Sequence, residues 1–356
     1  MAYVSSYKLT ASAYGIVIIF SGVIVFSIDI LIGNQILTPS KRARIRHDVY
    51  HHTLATNVAV NDDWGGKYHY KLCTDENGFK SSCGKQTGKQ FDIGFIGDSF
   101  TEGIGLPYEQ TFVGMIAEAH PEWTIANLGV VSYSPTIYLA KVRYLLSRGY
   151  TFKKVHVYID ISDVHDEATY YDFQGERVAK RGTLMVDAGF ISFYENMREL
   201  FPLTLRAVEV IKDTIVTPSE KEALELEKAR SSWSYNPTIE GYEPLGIEGG
   251  IKRAMDRMME LHQLLQRHNI PLSVGVYPWP AQVRYDTQES RQVNLWREFC
   301  RTRCEYFFDS FPPFFVSAAT NGVEETINAY YFDGDIHLNE SGNRVLAENY
   351  LSTITR

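Results

Sequence analysis

The sequence lacks an excess of basic charge. Its 356 residues include 35 Lys and Arg against 43 Asp and Glu, which gives a formal net charge of −8 at pH 7. Proteins that hold nucleic acid through its phosphates need a basic surface, so we expect no nucleic-acid partner. The sequence also lacks internal repeats and low-complexity tracts. Because 44% of its residues are hydrophobic, it can bury a real core, and disorder is not expected.

Cysteine is also scarce, with four in the chain. Cys73 and Cys83 bracket the turn-rich stretch TDENGFKSS at a separation that a hairpin-closing disulfide can span. Cys300 and Cys304 lie four residues apart on one face of a predicted helix, either as a metal pair or as two core or disulfide-bonded thiols. No second Cys or His pair has zinc spacing, which favours the thiols, and we expect no metal.

One long uncharged stretch stands out near the N-terminus. Residues 9–28 read LTASAYGIVIIFSGVIVFSI, close to the ~20 residues that a helix needs to cross a bilayer. A buried core helix would normally carry a polar stripe, which this stretch lacks. A cleaved signal peptide fits less well, because its apolar region is shorter and ends at an Ala-x-Ala site. The pattern predicts an uncleaved transmembrane anchor over residues 9–33.

Two features of the sequence favour opposite orientations of such an anchor. A basic cluster over residues 41–46 follows the span, and the positive-inside rule would place the large domain in the cytoplasm. The cluster begins twelve residues after the uncharged run, however, and the cysteine spacing favours an oxidising compartment. We therefore predict a single-pass protein of the cell inner membrane whose main domain is periplasmic or otherwise extracytoplasmic.

The remaining chain divides by pattern. Residues 34–90 are polar and basic at first, which is typical of a linker and N-terminal extension. From residue 91 to 356, short apolar segments alternate with helical patterns. The alternation predicts an α/β domain with a mostly parallel sheet covered by helices on both faces. About residues 166–250 interrupt it with a segment rich in Tyr, Glu and Lys, which we interpret as a helical lid insertion.

The segment FDIGFIGDSFTEG, residues 91–103, ends a predicted strand in a small polar turn. Ligands of parallel sheets bind at the carboxyl ends of the strands, where Ser99 lies. Gly97 allows a sharp bend, so that the Ser99 hydroxyl is presented at the start of a helical turn and its own N–H faces a developing oxyanion. The alternative is a tight turn with a polar helix cap.

A serine nucleophile needs a base and a group that orients the base. The stretch YFDGDIHLNESGN near the C-terminus offers His337, with Asp335 two residues earlier. An aspartate at that spacing can fix the imidazole tautomer so that the other ring nitrogen faces Ser99. The alternative is a surface loop with unrelated charges.

Together these segments resemble the SGNH/GDSL-type hydrolases. GFIGDSFTEG is similar to the nucleophile block of that family, IANLGVVSYSP to its glycine block and DGDIHLNESGN to its Asp/His block. The resemblance implies a three-layer α/β/α flavodoxin-like sandwich without a cofactor. It implies Ser99 as nucleophile, His337 as general base, Asp335 as the orienting carboxylate, and the N–H groups of Ser99 and Gly129 as the oxyanion hole.

The chain departs from the family pattern at two places. The family commonly has Asp-x-x-His, whereas here Gly334 stands in the usual Asp place and the spacing is Asp-x-His, as in the branch that handles O-acetyl groups on exported polysaccharides. The third block often has an Asn-Asp pair whose Asn completes the oxyanion hole, and here Ser162 precedes Asp163. Ser162 is a shorter donor, which leaves its contribution and the role of Asp163 open.

The leading hypothesis is therefore an anchored serine esterase or O-acyltransferase that acts on small acyl esters, chiefly acetyl, of cell-envelope or exported polysaccharide. Its partners would be that acylated substrate and, through the N-terminal helix, the membrane. Two alternatives stay open. One is a lipid esterase or thioesterase, and the other is a non-catalytic scaffold of a polysaccharide export system that keeps the fold.

Overall fold

The computed structural model describes residues 11–33, 43–181 and 228–355, together with positions 201, 203, 204 and 207. The chain divides into two compact units. One comprises residues 1–38 and 185–219, and the other comprises residues 39–184 and 220–356. Most of the predicted lid insertion, including most of its predicted helical stretches, lies outside the described residues.

The larger unit is built from eleven strands and ten helices among its described residues. The strands are β1 (Arg44–His47), β2 (His51–Leu54), β3 (Ala59–Trp64), β4 (Tyr68–Cys73), β5 (Gln90–Ile96), β6 (Ile125–Asn127), β7 (Thr151–Ile159), β8 (Tyr171–Gln174), β9 (Arg177–Lys180), β10 (Leu272–Val276) and β11 (Cys304–Asp309). After α1 (Ala11–Ile28) of the smaller unit, the helices are α2 (Ser99–Glu102), α3 (Phe112–Ala119), α4 (Pro135–Ser147), α5 (Asp163–Thr169), α6 (Gly246–Arg267), α7 (Pro280–Tyr285), α8 (Arg291–Cys300), α9 (Phe311–Asn321), α10 (Val323–Tyr330) and α11 (Glu340–Ile354).

Five strands form the central sheet in the order β11-β10-β7-β5-β6, and every neighbouring pair is parallel. Alternate residues of β7 belong to two separate hydrophobic clusters, Val155 and Val157 to one and Tyr158 to the other. The first cluster includes buried residues of α4, α6 and α8, and the second includes those of α3 and α11. Since successive strand residues point to opposite faces, helices cover both faces of the sheet, which confirms the predicted α/β class with its mostly parallel sheet.

Residues 44–73, in the segment predicted to be a linker and extension, form two antiparallel hairpins, β1–β2 and β3–β4. They belong to the same compact unit as the central sheet. Arg44 ties them to α2, because its guanidinium pairs with Asp62 at 2.7 Å and with Glu102 at 2.5 Å. Glu102 lies 58 residues beyond Arg44 in the sequence, so this contact is not visible in the local pattern of the segment.

The predicted membrane anchor over residues 9–33 is not supported. Within the described ranges, no helix combines the length and the apolar character needed to cross a membrane. The structure describes the α-helical part of this segment over Ala11–Ile28. A π-helical turn over Asp29–Gly33 follows, and the Asp29 carboxylate accepts hydrogen bonds from the backbone N–H groups of Leu203 and Thr204, both at 2.6 Å.

All four cysteines are paired. Cys73 is bonded to Cys83 and Cys300 to Cys304, so neither pair is available as metal ligands. Within the described part of the chain, no group of three or more His, Cys, Asp or Glu side chains has the arrangement of a metal site.

A buried lysine in the larger unit predicts that the stability of this unit depends on pH. Lys141 of α4 is fully buried and donates to the Leu128 carbonyl at 2.9 Å and to the Tyr133 hydroxyl at 3.3 Å. Burial lowers the pKa of Lys141 to about 7, whereas an unfolded lysine keeps its proton to about pH 10.4. Between these pH values the unfolded chain binds more protons than the folded one, so stability rises with pH there; the cost of burying the charged ammonium is fully present below pH 7 and fades as the pH approaches 10.4.

We therefore expect Lys141→Met to remove part of this pH dependence. Denaturant unfolding at pH 7 and pH 9 should show a gain in the free energy of unfolding for the parent that is larger than that of Lys141→Met by about 2 kcal/mol. Lys252→Met is the control, since the Lys252 side chain is 76% exposed. Equal gains in the parent and Lys141→Met would contradict the effect of burial.

Candidate active site

Ser99 lies in the turn directly after β5, at the carboxyl edge of the central sheet. Gly97 permits this turn, because a Cβ there would lie 2.1 Å from the Thr101 hydroxyl oxygen and 2.7 Å from the Tyr158 carbonyl. The Asp98 carboxylate caps α2 by accepting from the Phe100 N–H at 3.0 Å. The short strand-to-helix turn therefore holds Ser99 at the first position of α2.

The structure brings Ser99 together with His337 and Asp335, across 238 residues of sequence in the case of Ser99 and His337. Ser99 Oγ lies 2.8 Å from His337 Nε2, and His337 Nδ1 lies 2.5 Å from Asp335 Oδ1. Both Ser99 and His337 are buried, and the Asp335 side chain is 21% exposed. In the tautomer with the proton on Nδ1, His337 donates to Asp335 and accepts from the Ser99 hydroxyl, which is the arrangement of a serine nucleophile with its base.

The loop between α10 and α11 fixes Asp335 and His337 relative to each other. The Phe332 N–H donates to the His337 carbonyl at 2.9 Å, and the Asp335 N–H donates to the Phe332 carbonyl at 3.1 Å. Gly334 has a φ of 73°, in the left-handed region that glycine adopts without strain. The backbone N–H of His337 also donates to Asp335 Oδ1 at 2.8 Å. The Asp-x-His spacing thus lets one carboxylate oxygen bind both the backbone and the ring of His337.

The surroundings keep Asp335 ionised. Burial acts to raise its pKa, but the hydrogen bonds and charge of His337, together with the hydrogen bond from Trp64, outweigh burial and lower the pKa of Asp335 to about 2. A carboxylate that stays charged at neutral pH can stabilise the imidazolium that forms when the base takes a proton.

Trp64, at the end of β3, is a site residue that the sequence did not reveal. Its indole Nε1–H donates to Asp335 Oδ2 at 2.6 Å, and its ring lies edge-on to that of His337 with centroids 5.0 Å apart. Trp64 precedes Gly65 and Gly66 in a segment without any catalytic motif. A single tryptophan before a turn carries no sequence signal for such a contact.

The three predicted oxyanion donors differ in their surroundings. The Ser99 N–H has no hydrogen-bond partner among the described residues. By contrast, the Gly129 N–H donates to the Asn127 side-chain oxygen at 3.1 Å, and the Ser162 N–H donates to Asp160 Oδ1 at 2.7 Å. The Ser162 hydroxyl also bonds the Asp160 carboxylate. Of the three, Ser99 is the donor that this structure leaves available.

Three buried carboxyl groups, those of Asp98, Asp160 and Asp163, lie close to one another next to Ser99. Burial, and after it the charge of Asp160, raises the pKa of Asp98 well above its usual value. The pKa of Asp163 is raised in the same way, first by burial and then by the charges of Asp160 and Asp98. Burial also raises the pKa of Asp160, whose Oδ2 accepts from Trp279 Nε1 at 2.6 Å. Asp98 Oδ2 lies 3.4 Å from Ser99 Oγ. Raised pKa values reduce the negative charge next to Ser99, where an oxyanion would develop.

This protein resembles several solved structures in fold, at low sequence identity. The sequence matches no protein-family model and no curated protein. Solved structures that it resembles include a member of the lipolytic G-D-S-L family from Veillonella parvula, with 12% identity, a TM-score of 0.39, and coverage of 74% of this chain and 98% of that one. Another is an acetylxylan esterase from Geobacillus stearothermophilus, with 13% identity, a TM-score of 0.39, and coverage of 75% and 94%. A third is the psychrotrophic esterase EstA from a Pseudoalteromonas species, with 10% identity, a TM-score of 0.37, and coverage of 75% and 97%.

Proposed function

We propose that this protein is a serine esterase of the SGNH type, or a related O-acyltransferase, that acts on small acyl esters. The observation that carries the proposal is the continuous contact from Ser99 Oγ to His337 Nε2 at 2.8 Å and from His337 Nδ1 to Asp335 Oδ1 at 2.5 Å. A serine hydroxyl is a weak nucleophile unless a base takes its proton, and this arrangement supplies the base and holds its tautomer.

The reaction follows from these contacts. Ser99 Oγ attacks the ester carbonyl while its proton passes to His337 Nε2, and the Ser99 N–H donates to the tetrahedral oxyanion. When the intermediate collapses, the C–O bond to the leaving alcohol breaks and His337 returns the proton to that alcohol. An acyl-enzyme on Ser99 remains. Water, or a sugar hydroxyl in a transferase, then attacks it with His337 again as base, and Ser99 regains its proton.

We assign the acyl group as small, and acetyl on cell-envelope or exported polysaccharide as the first candidate. Space beside the base is limited by the ring of Phe100, whose centroid lies 4.9 Å from that of His337, and by that of Trp64 on its edge at 5.0 Å. The Phe332 ring packs against the backbone of Gly105, shortly after α2, where a Cβ would lie 2.8 Å from the ring. These rings support a short acyl chain over the long chain of a lipid ester.

Chain-length preference is the test of this assignment. With p-nitrophenyl esters, we expect kcat/KM to be highest for acetate and to fall steeply toward octanoate and longer chains, and we expect release of acetate from acetylated polysaccharide. A preference for long acyl chains would instead favour the lipid esterase or thioesterase. Absence of turnover on every ester, with the fold intact, would favour the non-catalytic scaffold.

We also propose that the catalytic unit works outside the reducing cytosol. The two disulfides, Cys73–Cys83 and Cys300–Cys304, support this, since such bonds persist in oxidising compartments. Attachment to the cell inner membrane stays a prediction. A reporter fused to the C-terminus that is active only after export tests the location, and activity of a cytosol-dependent reporter would contradict it.

A further inference from the structure

The β3–β4 hairpin contacts the loop that carries the acid and the base. Beyond the Trp64 bond to Asp335, the Lys67 ammonium lies 2.7 Å from the Asp333 carboxylate, and the Tyr68 hydroxyl donates to the Asp333 carbonyl at 2.8 Å. The Tyr68 ring packs against that of Phe332 with centroids 4.2 Å apart. Three residues at the end of this hairpin, Trp64, Lys67 and Tyr68, therefore contact the loop.

We propose that Trp64 is a positioning residue for the acyl-transfer reaction, which holds the carboxylate of Asp335 and, through it, the ring of His337 in line with Ser99. This inference rests on the proposed function of the same site. Trp64 does not touch the reacting atoms. It acts through Asp335, by a hydrogen bond, and through His337, by an edge-to-face ring contact.

The two oxygens of the Asp335 carboxylate have different partners, which explains why the indole of Trp64 matters. Oδ1 of Asp335 accepts hydrogen bonds from both the backbone N–H and the ring Nδ1–H of His337. Oδ2 accepts the indole N–H of Trp64, and no second donor to Oδ2 is found in the described ranges. Without the indole, only the two contacts of Oδ1 with His337 hold the carboxyl group, so rotation about its Cβ–Cγ bond is less restricted and the alignment of the imidazole is less closely fixed.

The hairpin is also joined to α2, the helix that carries Ser99. Asp62 of β3 pairs with Arg44, and Arg44 pairs in turn with Glu102 at the end of α2. The Tyr70 hydroxyl donates to the same Asp62 carboxylate at 2.7 Å. Glu102 is fully buried and also accepts from the Val131 N–H at 2.9 Å. The hairpin thus connects the element that carries Ser99 with the loop that carries His337, and Trp64 is the point at which it meets the catalytic groups.

The test is Trp64→Phe, which keeps an aromatic ring against His337 and removes the N–H donor. We expect kcat on p-nitrophenyl acetate to fall about 10-fold or more with KM within about twofold of the parent, because misalignment affects the chemical step and not binding. The proton of the short His337–Asp335 hydrogen bond should give a low-field NMR resonance in the parent that broadens or disappears in the variant. Trp123→Phe is the matched control. Trp123 is also half-buried, stacks on His120 and makes no hydrogen bond through its indole in the described structure.

A kcat of Trp64→Phe equal to that of Trp123→Phe, or an unchanged low-field resonance, would overturn the inference. If Trp64→Phe does not fold, benzothienylalanine at position 64 replaces it, since this analogue has the shape of tryptophan with sulfur in place of the N–H, and the same two readouts apply. Ser99→Ala in the same assay separates the two proposals. Turnover that persists in Ser99→Ala refutes the proposed function, whereas loss in Ser99→Ala with full activity in Trp64→Phe refutes only the role of Trp64.

Discussion

Replacing Ser99 by alanine should lower the rate of p-nitrophenyl acetate hydrolysis by about 10⁴-fold or more, since the removal of a catalytic serine leaves only the catalysis that the remaining groups provide. The Ser99 hydroxyl is the atom that His337 Nε2 contacts at 2.8 Å, and no other side chain in the described structure occupies that position. The loss should appear in kcat and in kcat/KM, because in the proposed reaction Ser99 forms the acyl-enzyme itself.

Two controls make this result specific. Ser352→Ala changes an exposed serine on α11, whose hydroxyl only bonds the Asn349 carbonyl of its own helix. It should keep the parent rate. The thermal midpoint of Ser99→Ala should stay close to that of the parent, because the substitution removes one hydroxyl and no packing. A Ser99→Ala protein that folds and retains the parent rate would show that hydrolysis occurs elsewhere.

The second large effect is expected from Asp335→Asn, which should reduce kcat by about 10³- to 10⁴-fold. An amide at this position can donate its N–H₂ group to Nδ1 and so stabilise the tautomer that carries its proton on Nε2. In that tautomer His337 cannot accept the proton of Ser99. The amide also removes the negative charge that balances the imidazolium, a charge that the lowered pKa of Asp335 maintains at neutral pH.

Asp333→Asn provides the matched comparison. Asp333 lies two residues before Asp335 on the same loop, and its carboxylate is 87% exposed and pairs with Lys67, itself 55% exposed. Exposed ion pairs contribute little, so Asp333→Asn should retain most of the activity. Equal losses in Asp333→Asn and Asp335→Asn would mean that the loop as a whole, and not the contact with His337, sets the rate.

The sequence allowed the central sheet to be predicted because each strand of that sheet is a short apolar run next to an amphipathic helix. Those signals are local. Ser99 and His337 could be paired across 238 residues because the residue types and the turn chemistry around each were informative by themselves, and because three segments resembled one family in the expected order. Their catalytic roles remain predictions until the variants are measured.

The N-terminal hairpins could not be predicted in the same way. Their strands are short and half-exposed, with buried polar residues such as Asp62, whose carboxylate pairs with Arg44 and accepts from the Tyr70 hydroxyl. The contact of Trp64 with Asp335 joins residues 271 positions apart, and no pattern near Trp64 indicates it. The oxyanion donors posed a similar problem. A motif places Gly129 near the site, but whether its N–H is free depends on the side chain of Asn127, which only the folded structure shows.

The most direct test of the central claim is the site at which a fluorophosphonate reacts. The phosphonate should bond covalently to Ser99 Oγ with loss of fluoride, and peptide mass spectrometry of the parent should find the adduct on the peptide that contains Ser99. Labelling should vanish in Ser99→Ala and slow by orders of magnitude in His337→Ala, because the hydroxyl then has no base. An adduct on another residue, or equal labelling rates in the parent and His337→Ala, would contradict the assignment of Ser99 and His337 as nucleophile and base.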